Sequence, residues 1–431
     1  MSDVEKDVKL SLKVMINKER NEVLFAEADN HFTDILLSFL TLPLGRIFKV
    51  FKKHYGDELP TIASLSSLYH SLTNLDSAHF VTEGAKQILL SPASLFEDEY
   101  KRLKLDITDS PPAEYFYCSG RAPHGRLHIV SMYYDSVERC ILCHRTMKKE
   151  VAKKGSEADS SSDGVLTIRK ASFTISDDLH IFPNEIGLLP IITLLGITDA
   201  HKAEEIKVDL GFNEACMTSP TPLSDVILNK TTHLKSAEVP LHEMVVKEEN
   251  LNTMSLKVTI QKSTGKLLYA QAKEDFIEFL FGFFNIPLGG VGHLLAGKTR
   301  VKAINNLYLS TDDHVNDEYF KTSVMKRRLL EPNVVHGCIS ENNILRLTEE
   351  PLPVDYTRYN DYFSSVKFPK GKGRYLERPA TYKVTDDLTV TPFCTVSILS
   401  SLNSLKIPIT DVQELELQIG LKEVYNTILN M

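Results

Sequence analysis

The 431-residue chain contains no tryptophan, only six cysteines and no long uninterrupted apolar run. Six cysteines in a chain this long are too few for a disulfide framework, so reduced thiols and a cytoplasmic or nuclear location are expected. The greasiest stretch, Phe276 to Pro287, carries Glu278 and falls short of the roughly 20 residues that span a bilayer, which predicts no membrane insertion. The start, MSDVEKDVKL, lacks the apolar core of a secretory signal, and the sequon at Asn229 is expected to stay unmodified. Positive charge is also in deficit. A formal net charge of −8 argues against a surface that grips nucleic acid or anionic lipid over its whole extent.

What the chain has in excess is itself. Residues 11–45 align without gaps to 255–289 at an offset of 244, with fifteen of 35 positions identical, among them Phe32/Phe276 and the Pro-Leu-Gly at 43–45 and 287–289. Leu89-Leu90 matches Leu329-Leu330 at an offset of 240, and ASFTISDDLHIFP (171–183) matches ATYKVTDDLTVTP (380–392) at 209. Repeat two therefore lacks about 31 residues that repeat one carries between Pro92 and Ala171. The predicted layout is repeat one over 1–230, with a Cys-containing hairpin insertion at about 112–165, a linker over 231–252, and repeat two over 253–431 without the insertion.

Local pattern gives each repeat an α+β fold. Leu10, Leu12, Val14 and Ile16 alternate with polar residues as in a half-buried strand; Asn17 to Asn21 is turn material; Val23 to Ala28 is the return strand. Phe32, Ile35, Leu36, Phe39 and Leu40 recur at three and four, the apolar face of a helix that Pro43 should end. Further strands are expected at Leu105 to Ser110, Ala171 to Ile175 and Glu205 to Leu210, and a short buried helix at Leu188 to Leu195. Lys153 to Gly164 reads as a Ser/Asp-rich flexible loop. The sum is a hairpin-led, mainly antiparallel sheet with helices packed on it, made twice.

The motif LKV-x-I-x-K…LFAEA…F-x-D-x-L-x-S-F-L-T-L-P-L-G, given twice and followed by D-D-L-x-V-x-P, resembles the plant family of uncharacterised proteins called domain of unknown function 674. The resemblance runs over nearly the whole chain. It implies a plant source and cysteines within the insertion, and it supplies no catalytic residue to carry over.

Three constellations remain as candidate chemistry. Cys140-Ile141-Leu142-Cys143 can aim two thiolates at one tetrahedral zinc, with Cys118 a third ligand at suitable spacing. His124, His128 and His144 are available as a fourth, and His128 is preferred because His144 adjoins Cys143. A bare pair of reduced thiols is the plainer alternative. The same stretch, 119–154, holds eight Lys/Arg against three acids, so phosphate contact by a basic zinc-bearing segment is a second option, beside a merely solvated loop. Gly292, Gly297, Lys298 and Thr299 complete a literal GxxxxGK[ST], but a helix precedes it where a strand is needed, Leu294 and Leu295 occupy its turn, and a glycine-capped helix end explains Gly297 as well. Asp177-Asp178 and Asp386-Asp387 recur in both repeats; neighbours on a strand face opposite ways, so a turn role is expected rather than an acid/base pair.

These readings favour a non-enzymatic interaction or scaffold protein with a protein partner and, in repeat one, one structural zinc as an option. The alternatives are a nucleotide-binding enzyme using Gly292 to Thr299 and a zinc-dependent nucleic-acid binder using 118–154.

Overall fold

The computed structural model describes residues 10–56, 63–81, 83–103, 114–118, 127–131, 147–151, 164–198, 201, 203–210, 219, 221–228, 253–299, 301–335, 338–340, 343–345, 347–350, 363–366 and 374–420. Repeat one opens with the expected hairpin, β1 (Leu10–Asn17) and β2 (Glu22–Asp29), then α1 (Asn30–Ser38), α2 (Leu44–Tyr55), α3 (Ala63–Asn74), α4 (Glu83–Leu90) and α5 (Glu97–Tyr100). Its insertion contributes β3 (Glu114–Cys118), β4 (Leu127–Ser131) and β5 (Met147–Val151). The repeat closes with β6 (Ser172–Ser176), β7 (Ile181–Pro183), α6 (Leu188–Leu194), β8 (Ala203–Leu210) and α7 (Pro222–Ile227).

Repeat two follows the same order: β9 (Met254–Gln261), β10 (Leu267–Lys273), α8 (Glu274–Gly282), α9 (Leu288–Leu294), α10 (Lys302–Asp313) and α11 (Met325–Leu330). It continues with β11 (Phe363–Val366), β12 (Thr381–Val384), β13 (Val390–Pro392), α12 (Thr395–Ser404) and β14 (Val412–Ile419). The two main sheets are antiparallel and equivalent, ordered β7-β6-β2-β1-β8 and β13-β12-β10-β9-β14. Both have helices on the face that carries Leu12, Val14 and Val258, so the chain is α+β and twice made, as its repeat predicts.

Local chemistry starts and stops these elements where expected. Asp29 caps α1 by accepting from the Phe32 amide at 3.1 Å. Pro43 ends the helical run and, having no amide hydrogen to lose, stands at the cap of α2. The pattern at 105–110 and the loop at 153–163 lie outside the described residues. Two expectations need correction. The segment at 188–195 is helical but not buried, since only Ile191 of α6 is enclosed. The insertion is also more than a hairpin: β3, β4 and β5 form a sheet in the order β11-β4-β3-β5, and β11, parallel to β4, comes from repeat two.

The repeats are interlocked rather than merely tandem. The two Pro-Leu-Gly elements pair with each other: the Leu44 amide donates to Ile286 at 3.0 Å and the Leu288 amide to Leu42 at 2.9 Å. Each repeat also lends its third helix to the other's sheet. The Val390 amide of repeat two donates to Ser71 Oγ on α3 at 2.9 Å, and the Ile181 amide of repeat one to Ser310 Oγ on α10 at 3.1 Å. Chain crossings repeat this reciprocity. Val81 and Tyr375, and Glu377 and His79, bond at 2.9 Å; so do Lys321 and Leu166, and Ile168 and Tyr319. Phe284 meets Phe48 and Tyr69 edge-on across the junction at centroid distances of 5.8 and 5.3 Å. One hydrophobic core runs through both repeats.

This junction explains the glycines of the repeated motif. A Cβ on Gly289 would stand 2.0 Å from the Leu329 carbonyl oxygen and 3.0 Å from that of Leu40, and one on Gly45 would stand 2.6 Å from the Leu89 carbonyl. Backbone cannot yield as a flexible side chain can. Gly289→Ala is therefore expected to destabilise the chain by about 3 kcal/mol in urea unfolding, the upper range for overpacking. Gly282→Ala, with open space around its Cβ and a helical backbone, should instead be neutral or stabilise by up to about 1 kcal/mol.

Candidate functional site

The buried polar groups of the described residues are mostly committed to holding the chain together. Asp34, fully buried on α1, accepts from the Val165 amide at 2.5 Å, the Thr167 amide at 2.8 Å and the Thr167 hydroxyl at 2.7 Å. Burial raises its carboxyl to about 6, against the lowering pull of those donors. Its counterpart 244 residues on, Glu278, accepts from the Tyr375 and Leu376 amides at 2.7 and 2.8 Å and from Ser340 Oγ at 3.1 Å. These two acids escaped the sequence reading. The signal was present, because both copies put a carboxylate at the same point of an otherwise apolar helix.

The paired aspartates also hold structure. Asp177 accepts from the amide and hydroxyl of Ser224 at 2.7 and 2.6 Å, which fastens α7 to the β6–β7 turn. Burial, the dominant influence, raises its carboxyl. Asp178 turns away to Ser176 Oγ (2.6 Å), His180 Nδ1 (3.1 Å) and Lys302 Nζ of repeat two (2.9 Å). Burial pushes Asp178 up, but those donors together outweigh it and hold it well below the usual carboxylate range. In repeat two Asp387 accepts from Thr385 Oγ1 at 2.6 Å and the Thr389 amide at 3.2 Å. In each turn the following leucine, Leu179 or Leu388, takes a left-handed φ of 66° or 58°.

Gly292, Gly297, Lys298 and Thr299 lie at the C-terminal end of α9. The Gly297 amide bonds the Gly292 carbonyl at 2.8 Å and the Lys298 amide the Leu295 carbonyl at 3.1 Å, while Gly297 is left-handed at φ 69°. That is the wrapped helix end in which amides satisfy the last carbonyls. The space beside Gly292 is filled by the Tyr308 ring and that beside Gly297 by Leu309. Thr299 bonds Asn305 through both its amide (2.7 Å) and hydroxyl (2.6 Å), which closes the link to α10. As folded, these amides turn inward and the Lys298 side chain stands exposed.

Of the proposed zinc ligands, Cys140 and Cys143 lie outside the described residues. The other two lie at the adjoining ends of β3 and β4. The β3–β4 pairing runs Tyr115↔Ser131, Phe116↔Val130 and Tyr117↔Ile129, so its next step sets Cys118 opposite His128. Cys118 also pairs with Met147 of β5, four residues after Cys143. No group of three or more potential ligands occurs among the described residues.

Two further features were not anticipated. A cleft of about 230 Å³ between the repeats is bordered by Phe96, Arg327, Arg328, Glu331, Asn333 and Glu350. Much of its charge is internally matched, with Arg328 over the Phe96 ring at 4.3 Å and 3.5 Å from Glu99, and Asn333 bonded to Glu350 at 2.7 Å. The other feature is apolar and outward. On α6, Leu188 and Leu189 are 68% and 72% exposed; in repeat two, Val396 on α12 is 72% exposed and Ile409, beyond the end of that helix, 71%. A buried helix was expected at 188–195 because its apolar residues surround it; composition does not say whether a neighbour exists.

A family profile described as protein of unknown function (DUF674) matches residues 6–422. No curated protein and no solved structure matches the chain. Among the described residues no helix is long and apolar enough to cross a membrane.

The Asp34 clasp has a pH signature. Its folded-state value, about 6, lies above the ordinary 3.8, so between these limits the folded chain holds more proton than the unfolded one. Stability from this group is then fully present below about pH 4 and falls as pH rises to about 6, by at most about 3 kcal/mol. Urea unfolding across that window should show the wild type losing stability relative to Asp34→Asn as pH rises from about 4 to about 6; parallel curves would exclude it. Asp34→Ala, which orphans three buried donors, should cost about 3 kcal/mol or more at any pH.

Proposed function

Because the chain belongs to the DUF674 family of proteins of unknown function, we propose from its geometry that it is a non-enzymatic interaction scaffold. The observation that carries this reading is the outward apolar face of α6 and its twin on α12 and the following turn. Large apolar side chains left uncovered on a well-packed frame mark interaction sites. Each repeat leaves large apolar side chains uncovered on or just after the helix that follows its short edge strand, β7 or β13, above a core shared by both repeats.

The partner is a protein segment with an apolar face and basic flanks. Glu185 precedes α6, and Asp411, Glu414 and Glu416 follow α12, where they outnumber Lys406 and Lys262, within a chain of net charge −8. Such borders repel anionic lipid and attract a basic-flanked helix. Action in the cytoplasm or nucleus fits the reduced thiols expected from the cysteine content.

Leu188→Asp/Leu189→Asp and Val396→Asp/Ile409→Asp serve as the test. A partner identified with the wild-type chain should lose at least tenfold in affinity to either double variant, while thermal stability stays within about 0.5 kcal/mol. Undiminished binding by both variants would sink the reading; recovery of only a second copy of this chain, or of anionic vesicles, would replace the partner named here.

A structural zinc at the insertion is a second reading, favoured by the register that brings Cys118 opposite His128 with Cys143 close along the chain to Met147. Cys140 and Cys143 would complete a tetrahedral set whose role is to staple the small β11-β4-β3-β5 sheet. Elemental analysis should find about one zinc per chain, absent from Cys140→Ser/Cys143→Ser. Metal-free wild-type protein, purified without chelator, would remove the site.

A further inference from the structure

α4 and α11 are equivalent helices that share their last two leucines but little of what surrounds them. Leu89-Leu90 and Pro92 of repeat one recur as Leu329-Leu330 and Pro332 at an offset of 240, and Leu89, Leu329 and Leu330 are buried in the shared core. At the same offset Gln87, Ile88, Ser91 and Ala93 correspond to Arg327, Arg328, Glu331 and Asn333. All four residues of repeat two border the cleft of about 230 Å³ between the repeats, together with Leu95 and Phe96 of repeat one. What both copies keep builds the junction; what repeat two alone carries gives this cleft its charge.

Bonds on both sides hold the cleft in shape. Asn333 Nδ2 donates to Glu350 at 2.7 Å, and the backbone fixes that pair: the Val334 amide bonds the Thr348 carbonyl and the Glu350 amide the Val334 carbonyl, each at 2.8 Å. Arg328 is pinned across the repeat boundary, 4.3 Å over the Phe96 ring centroid and 3.5 Å from Glu99. Glu331 faces His293 at 3.8 Å. Arg327 is the uncommitted arginine: no ion pair or side-chain hydrogen bond engages it among the described residues, and it stands exposed. Glu350 likewise keeps one carboxylate oxygen without a bond there. A guanidinium fork matches the two oxygens of a carboxylate, and a carboxylate oxygen accepts from an ammonium.

We propose that this cleft binds a small zwitterion of the α-amino-acid class, its carboxylate on Arg327, its ammonium on Glu350 and an apolar side chain toward Leu95. The lining selects for both charges at once. Glu331 and Glu350 repel a dianion such as phosphate, and a lone cation would leave the Arg327 guanidinium unmatched and add to its field. At about 230 Å³ the cleft is smaller than the roughly 300–1,000 Å³ of sites for drug-sized molecules, which suits a metabolite and not a folded segment of protein. Walls already bonded in place spare the ligand the cost of ordering them. The site is separate from the outward faces of α6 and α12, so it adds to the scaffold reading and does not depend on it.

Saturation-transfer nuclear magnetic resonance on the full chain, titrated with leucine, methionine and phenylalanine, tests the site. At least one of the three should bind saturably at millimolar concentration or below. Its deaminated and decarboxylated analogues (isocaproate and isoamylamine in the case of leucine) should bind at least tenfold more weakly. Arg327→Gln, which brings the repeat-one residue type to an exposed position, should lower the affinity at least tenfold with the thermal midpoint unchanged. Glu350→Gln, which keeps an acceptor for Asn333, should do the same, and Arg327→Gln decides alone if the Glu350 variant does not fold. No saturable binding of any of the three amino acids would overturn the proposal. So would an analogue without the ammonium that binds as tightly as its parent, inorganic phosphate that binds more tightly than every amino acid, or binding that the Arg327 substitution leaves untouched.

Discussion

Two buried carboxylates hold the parts of this molecule that everything else crosses. Asp34 and Glu278 stand at equivalent points of the first helix in each repeat, with no exposure to solvent, and each accepts the backbone amides of the segment that leads back into its own sheet. Those segments, around Leu166 and Tyr375, are also where the other repeat's chain crosses and bonds. A buried carboxylate is costly unless its lone pairs are used, and here three donors converge on each. Desolvation still leaves its mark on Asp34, whose carboxyl is raised toward neutrality.

The interlock follows from that arrangement. With the crossing segments fixed, the α3 helix of repeat one lies on the second sheet and the α10 helix of repeat two on the first, so neither sheet is covered by its own repeat alone. The Pro-Leu-Gly pairing at the centre then needs backbones to approach closely, which is why glycine stands at 45 and 289. Duplication in this chain is thus closer to a dimer written on one polypeptide than to two beads on a string, with one core in place of two.

Function is legible in a different register from fold. The recurrent acids and glycines, which look chemical when read along the chain, prove to be occupied: Asp177 by Ser224, Asp178 by Lys302 and His180, Gly292 by the Tyr308 ring. Among the described residues the most exposed large apolar side chains include those on α6 and α12. A helix that is greasy on every side carries no internal sign of whether a neighbour covers it, and so the sequence pattern at 188–195 pointed inward when the folded helix faces outward. The insertion lies between these extremes. Cysteine spacing singled it out, and the β3–β4 register, continued by one step past Tyr117↔Ile129, would set Cys118 across from His128, a relation that nine intervening residues do not reveal.

From the sequence alone came the duplication, the opening hairpins, the helix that Pro43 ends, the α+β class and the family, because each rests on periods of two or 3.6 and on matches at fixed offset, which are local properties. The tertiary structure alone decided which sheet each third helix covers, that the repeated prolines face each other, that β11 joins the insertion of the other repeat, and that Asp34 and Glu278 are buried. Those are contacts between residues 62 to 319 positions apart. Nothing in local periodicity encodes them, because they are settled by which apolar faces find each other when one chain closes around a single core.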